Sequence, residues 1–480
     1  MHILILHDRS ENMRLYINGA LHMNLATGIS TDDATGSPID VMKSADGAVY
    51  AIAYWDLPSN PFPGAATNAA VMGAIAAERF ARLNGTWPTK AGTYAPVTAS
   101  RSVAASLDRY ISSTERRIFT VGPNWIRTVE RKDLSNVTVA GILIEPQSEN
   151  EITNSSDFSG WTATRAAVSS NVAGVTAPDG TVTADGIVGS AATNTHSISN
   201  SLGHDTGLQV FSFWARLGAK TWAYCNIPHV ANANAYFNLN TGAVGTVGAG
   251  CRAYCEPWGG GGWARCEVAY AGAAAPHDHD IYPAVADGNH TYLGDASTVD
   301  IYVWGAQHED GIERATSYIP TAAAAVTRTK DQLQYSATAA GGNVAAGTGA
   351  IEAIVLIPAQ NKPVAGAIAC VSNAGTATQK FQIDVLASDK AHCTSVVSSV
   401  QASITNVADV ADGYRHKIMG QWATNNVRCY VDSIEASLRD TTCTIAATMT
   451  VLDFGQDSAA ANQIGAVISD LRVYRKPLKS

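Results

Sequence analysis

The sequence predicts an all-β protein of tandem antiparallel β-sandwiches with one short linking α-helix. Three observations predict it. Charged residues are only 15% of the chain while glycine occurs 41 times in 480 residues, a composition suited to short strands joined by many turns. Several runs alternate with the strand period. In Val299 to Gln307, Val299, Ile301, Val303 and Gly305 fall on one face and Asp300, Tyr302, Trp304 and Ala306 on the other. Finally, a pair of strand phrases occurs twice. Arg14-Leu15-Tyr16-Ile17-Asn18-Gly19 and Gly47 to Pro58 near the start parallel Val427 to Ser433 and Gly465 to Leu478 near the end, an internal repeat of long period.

At roughly 150 residues per domain, the length predicts about three domains. No apolar run approaches the ~20 residues of a membrane helix, so membrane insertion is not expected. The opening Met1 to Leu6 is too short for a secretory signal and is broken by His7-Asp8-Arg9. A net charge of −9 with no basic stripe argues against nucleic acid as a partner. The sequence contains no G-x-S-x-G elbow, no H-E-x-x-H and no phosphate-binding glycine loop, and the expected class is not an enzyme.

In chain order, residues 1–60 read as the second half of a β-sandwich. Asn18-Gly19 is a hairpin turn, and Gly47 to Pro58 alternates into a strand that a proline stops. A half sandwich exposes open edges, so the chain is expected to open inside a domain whose missing strands lie upstream or come from a partner chain. Residues 61–100 are a helix and linker: Ala70, Val71, Ala74, Ile75, Ala77, Phe80 and Ala81 form an apolar stripe over 67–83 that ends at Asn84-Gly85. Residues 101–150 read as a β-rich connector, 151–329 as one β-sandwich module, and 330–480 as a complete second sandwich with further strands at Ala350 to Leu356 and Lys380 to Val385.

The wording of the 151–329 module is distinctive. It opens on Asn154-Ser155-Ser156-Asp157-Phe158-Ser159-Gly160-Trp161 and carries Gly262-Trp263-Ala264-Arg265-Cys266-Glu267-Val268. It closes on Tyr302-Val303-Trp304-Gly305-Ala306-Gln307, then Ala315-Thr316-Ser317-Tyr318-Ile319-Pro320-Thr321 and Val326-Thr327-Arg328. Together these phrases resemble carbohydrate-binding-type jelly rolls of bacteriophage tail-fibre and appendage proteins, and the repeated phrases at the two ends resemble laminin-G/concanavalin-like lectin modules. The resemblance implies a virion appendage protein that assembles as a homo-oligomer, with a trimer the expected count, beside other virion proteins and against host surface polysaccharide. A purely structural collar or decoration fibre and a glycan depolymerase are the alternatives.

Aromatic rings are the expected working parts, because the C–H face of a sugar packs well on an exposed ring. Trp222, Tyr224, Tyr236, Trp258 and Trp263 are the candidates, with Trp258 foremost because it enters the glycine-rich turn Pro257 to Gly262. For a metal, His277 and His279 share one strand face, with His290 to join them, and Asp287 with Asn289 offers oxygen ligands suited to calcium. No other cofactor is expected. The cysteines form two blocks of four, Cys225, Cys251, Cys255 and Cys266, then Cys370, Cys393, Cys429 and Cys443, which predicts two disulfides in each module, with pairing open.

Overall fold

The computed structural model describes residues 97–474 with short internal gaps, together with the strands at 3–8, 12–17 and 20–26. The strand expected at 47–58 and the helix expected over 67–83 lie outside the described residues. Every named element among the described residues is a β-strand, as the composition and alternation predict. The chain divides into two units, Met1–Val97 and Thr98–Ser480. In the first, Ile3–Asp8, Asn12–Ile17 and Ala20–Ala26 form an antiparallel sheet, with Ile17 opposite Ala20 across the expected hairpin.

The second unit holds two sandwiches. The smaller, the jelly roll, packs a six-stranded front sheet on a six-stranded back sheet. The front sheet runs Thr162–Thr164, Ser197–Leu202, His277–Ala284, Trp222–Asn226, Asn234–Asn238, Ala243–Val247. The back sheet runs Ala166–Ser169, Asp185–Gly189, Ile301–Asp310, Gly207–Leu217, Trp263–Gly272, Cys251–Pro257. Alternation sends Ile198, Ala223, Cys225, Ala235, Phe237 and Ile281 of the front sheet against Ile187, Phe211, Phe213, Val268, Ile301 and Val303 of the back sheet.

The larger sandwich, of two seven-stranded sheets, is assembled from both flanks of the jelly roll. Its C-terminal strands run from Gln332–Ser336 to Ala466–Tyr474, and Thr138–Ile144 pairs with the last of them, Ile144 opposite Ala466. Thr128–Lys132 then forms the edge, and Val97–Ser100 lies at the edge of the opposing sheet. Residues read as a connector thus complete a sheet that closes at the far end of the chain. The jelly roll is an insertion. Its entrance and exit are zipped together, Ser148–Asn150 against Val326–Arg328.

The closing strand of the jelly roll departs from simple alternation. A register shift opposite Ser212 and Trp214 gives the 301–310 strand one extra residue, and Gly305 takes a φ of +63° there. This β-bulge resets the period. Ile301 and Val303 face the core as expected, but Ala306 joins them instead of Gly305, while Trp304 turns to a second cluster with Trp214, Trp258, Trp263 and Tyr318. Past the strand, Gln307 and Glu309 hold the Ala315 to Thr321 exit. The Gln307 side-chain oxygen accepts the Ile319 amide at 2.7 Å, and Glu309 accepts the Thr316 amide at 3.0 Å and the Ser148 hydroxyl at 2.6 Å.

All eight cysteines are free thiols in this structure, with Cys255 directly opposite Cys266 on the neighbouring strand. Cys225, Cys266, Cys370, Cys393, Cys429 and Cys443 are buried and pack as small apolar side chains. Burial pushes the Cys370 thiol up to about 12 and raises Cys225 as well, so these sulfurs are poor nucleophiles.

Candidate functional site

The outer face of the front sheet gathers the aromatic residues that the alternation turns away from the core. Tyr224 stands directly opposite Tyr236 on one neighbouring strand and opposite Tyr282 on the other. Their ring centroids lie 4.4 and 5.3 Å from that of Tyr224. Such cross-strand aromatic pairs are favoured contacts on a sheet face. Trp222, two residues before Tyr224, extends the row along the same face. His290 stacks on Tyr224 at 4.4 Å and 18°, and its Nδ1 lies 2.6 Å from the Tyr236 hydroxyl. Burial lowers the His290 pKa, which favours the neutral ring at neutral pH. Asp280 accepts the Tyr282 hydroxyl at 3.0 Å, and burial raises its pKa.

Of the five aromatic residues the sequence singles out, the fold brings Trp222, Tyr224 and Tyr236 together here. Tyr282 and Asp280 were missed, and His290, expected to join His277 and His279 at a metal, stands here against Tyr224 and Tyr236 instead. The alternation of His277 to Ala284 carried the signal for both missed residues, because it places Asp280 and Tyr282 on the face opposite His277 and His279.

Trp258 and Trp263 are corrections. Both are buried, each 3% exposed. The Trp258 amide donates to the Trp263 carbonyl at 2.8 Å, which closes the turn and folds the Trp258 ring inward. That ring meets Trp214 edge-on at 5.4 Å, beneath the Arg116 guanidinium at 4.0 Å. The Trp263 indole donates to the Thr176 carbonyl at 2.9 Å. A ring so covered offers no face to a surface ligand.

The metal candidates also separate. His277 and His279 do share a face, but it is the inward one, and both rings are buried. Asp287 accepts the Thr246 amide at 2.7 Å and its hydroxyl at 3.1 Å, and Asn289 accepts the Thr291 amide at 3.0 Å. These two build turns rather than a common ligand set. Among the described residues, the group with metal-ligand spacing is Glu151, His308 and Asp310, each offering one atom within 4.8 Å of the others. The bulge at Gly305 is what turns His308 inward. Its Nδ1 lies 3.1 Å from Glu151, its Nε2 lies 3.1 Å from the Tyr270 hydroxyl, and that hydroxyl is 2.8 Å from His279 Nε2. A chain of rings thus orients His308 from behind, in the way an outer shell orients a ligating imidazole. One imidazole with two carboxylates suits zinc or another transition metal better than calcium, which prefers oxygen throughout.

Neither a family model nor a curated protein sequence matches the chain. Among solved structures, domains LG4-5 of the mouse laminin alpha1 chain share 12% identity at a TM-score of 0.21, over 59% of this chain and 86% of that one. The LG1-3 region of the laminin alpha2 chain shares 11% identity at 0.19, over 58% of this chain and 61% of that one. The all-β class rests on the strands themselves.

Proposed function

We propose that the chain is a non-enzymatic appendage protein of a bacteriophage particle, and that the outer face of the front sheet binds host surface glycan. The registered row Trp222, Tyr224 and Tyr282, with the buried Tyr236 ring backing Tyr224, carries this reading, because it is a line of rings on a rigid sheet rather than on loops. The face also bears on the class of sugar. No strand of the front sheet carries lysine or arginine, while Asp278 and Asp280 both belong to it. A sialylated or uronic chain would find no counter-charge there, so the expected ligand is a neutral glycan.

On a glycan array the protein is expected to select neutral oligosaccharides, and Tyr224→Ala is expected to weaken that binding about tenfold, the loss of about 1.4 kcal/mol of ring contact. Trp258→Ala tests the alternative surface. If Trp258→Ala removes binding in a folded protein while Tyr224→Ala does not, the front sheet is not the site. Absence of binding to any glycan, with host adsorption intact in particles lacking the chain, supports the structural-fibre reading. New reducing ends on capsular glycan would support a depolymerase.

The Glu151–His308–Asp310 group supports a second element of the proposal, a divalent metal that braces the strand end behind the platform. Zinc is expected to raise the melting temperature of the wild type and to leave His308→Ala unchanged, since a ligand held only by the native state stabilises it by mass action. An equal rise in both proteins would sink the metal assignment.

A further inference from the structure

We infer that Cys255 and Cys266 form a reversible oxidation site, at which a small-molecule disulfide such as oxidised glutathione converts two thiols into an intrachain disulfide. The bond would staple the outermost strand of the jelly roll's back sheet to its neighbour. The inference is independent of the glycan reading, which concerns the other sheet.

Register places the pair. Cys251–Pro257 runs antiparallel to Trp263–Gly272 without a shift, and Cys255 stands directly opposite Cys266. One step beyond the last pair, Pro257 with Ala264, the Trp258 amide donates to the Trp263 carbonyl at 2.8 Å. Hydrogen-bonded and non-hydrogen-bonded pairs alternate along an antiparallel ladder. Counting back from Trp258, Pro257 is at a non-hydrogen-bonded place, Glu256 at a hydrogen-bonded one, and Cys255 with Cys266 at a non-hydrogen-bonded one. Pro257, which has no N–H, suits its place on an edge strand. Non-hydrogen-bonded pairs are the narrow kind, with Cα atoms about 4.5 Å apart, inside the ~4.4–6.8 Å that a disulfide spans. Both side chains pack into the same core, and the two thiols lie within hydrogen-bond reach of each other. The bond can therefore close without rebuilding the sheet.

Access separates this pair from the other six cysteines. Cys393 and Cys429 also lie within hydrogen-bond reach, across the two sheets of the larger sandwich. Cys393 Sγ sits against the bare backbone of Gly420, the residue opposite Cys429. Both of these thiols are fully buried, so a dissolved oxidant meets neither in the folded protein. Cys255 is only half-buried, and among the described residues no strand pairs beyond its own. In the same module, Cys251 donates to the Asn234 carbonyl at 3.3 Å. Among the described residues, no three sulfurs of this block share metal-ligand spacing, which favours a disulfide over zinc.

The exchange takes two steps. Cys255, the reachable sulfur, attacks as its thiolate one sulfur of oxidised glutathione and expels a glutathione thiolate, leaving a mixed disulfide. Cys266, whose thiol burial holds protonated, then gives up its proton to the expelled thiolate, and its sulfur displaces the second glutathione. In all, two cysteine thiols lose two protons and two electrons, and one glutathione disulfide becomes two glutathione thiols.

Peptide mapping of the full chain tests the site. The folded protein is incubated with oxidised glutathione, quenched in acid, and digested with trypsin without reduction. Fragment 253–265 is expected to appear joined to 266–314, two hydrogens lighter than their sum, and dithiothreitol is expected to part them. Fragments 391–415 and 429–439 are expected to stay separate. Oxidation should also raise the melting temperature by a few degrees in wild type and in Cys251→Ser, and not in Cys255→Ser. Should Cys255→Ser not fold, the wild-type map carries the test. Glutathione left on Cys255 with no joined fragment overturns the pairing, as does no reaction or a bond from Cys255 to Cys225 or Cys251. Joining of 391–415 to 429–439 at the same rate would mean that the oxidant acts on an opened chain, and overturns the edge strand as its route.

Discussion

Arg127→Ala is expected to destabilise the second unit by about 3–5 kcal/mol, the cost of stripping one partner from a buried ionic network. The Arg127 guanidinium is 1% exposed. It donates to Glu145 at 2.7 Å, to the Ser317 hydroxyl at 2.7 Å, to the Ser106 carbonyl at 3.2 Å and to Asp331. Arg328 reaches Glu145 at 3.5 Å and Arg101 reaches Asp331 at 3.0 Å. The residues come from both sides of the zipped neck, so the cluster ties the jelly roll to the larger sandwich. Without Arg127, two carboxylates stay buried with weaker partners. Urea denaturation measures the loss; a change below about 1 kcal/mol would show that water reaches the cluster. The effect should depend on pH in a definite direction. Although burial alone would raise it, the arginines hold the Glu145 carboxyl well below the usual carboxylate range. Its contribution is therefore complete above its unfolded pKa of about 4.3 and fades only as the pH falls toward the depressed folded value. Titrating wild type and Arg127→Ala from neutral to acid should show their stabilities converging below about pH 4.

Trp214→Ala is expected to cost a similar amount, about 3–5 kcal/mol, through a cavity that its neighbours cannot fill. Trp214 meets Trp258, Trp304 and Tyr318 edge-on at 5.4, 5.5 and 5.4 Å and lies under Arg265. Those partners come from separate strands and an exit loop, so no single backbone shift closes the gap. The bulge depends on the same ring: a Cβ at Gly305 would stand 2.8 Å from Trp214 Cε3, at a φ of +63° that disfavours side chains. Thermal melts with tryptophan fluorescence follow the loss. A Trp214→Ala protein that melts like the wild type would mean the cluster is a surface feature.

Much of the fold was legible because strands announce themselves by period. The phrases Trp263 to Val268 and Tyr302 to Gln307 fall on strands while Asn154 to Trp161 and Ala315 to Thr321 form turns and loops, and Phe211, Phe213, Ile301 and Val303 are core as alternation requires. What alternation cannot show is where the period resets. Reading straight through Gly305 assigned Ala306 to the wrong face, and the bulge also decides that His308 is a candidate ligand. Trp258 was misplaced for a related reason: a glycine-rich turn predicts backbone freedom, not the direction of the ring beside it. His277 and His279 were rightly grouped, but which face of a strand lies inward depends on neighbours far away in sequence. The aromatic row was half legible. Tyr224 and Tyr236 are close in the chain, whereas Tyr282 reaches them through strand order alone. The cysteine count pointed to cross-links, yet an even number of small apolar side chains serves a sandwich core equally well.

The pairing of Ile144 with Ala466 also has a consequence for the order in which the molecule is made. On the ribosome, the strands Thr128–Lys132 and Thr138–Ile144 emerge long before their partner exists. The jelly roll, by contrast, has all its strands once its exit is synthesised, and its paired entrance and exit allow it to close by itself. The larger sandwich must then hold an unfinished edge open until the final strand arrives. Closure between such distant segments is slow, and an unpaired edge invites the same edge of another nascent chain. The growing protein is thus most vulnerable to mispairing just before Ala466–Tyr474 emerges.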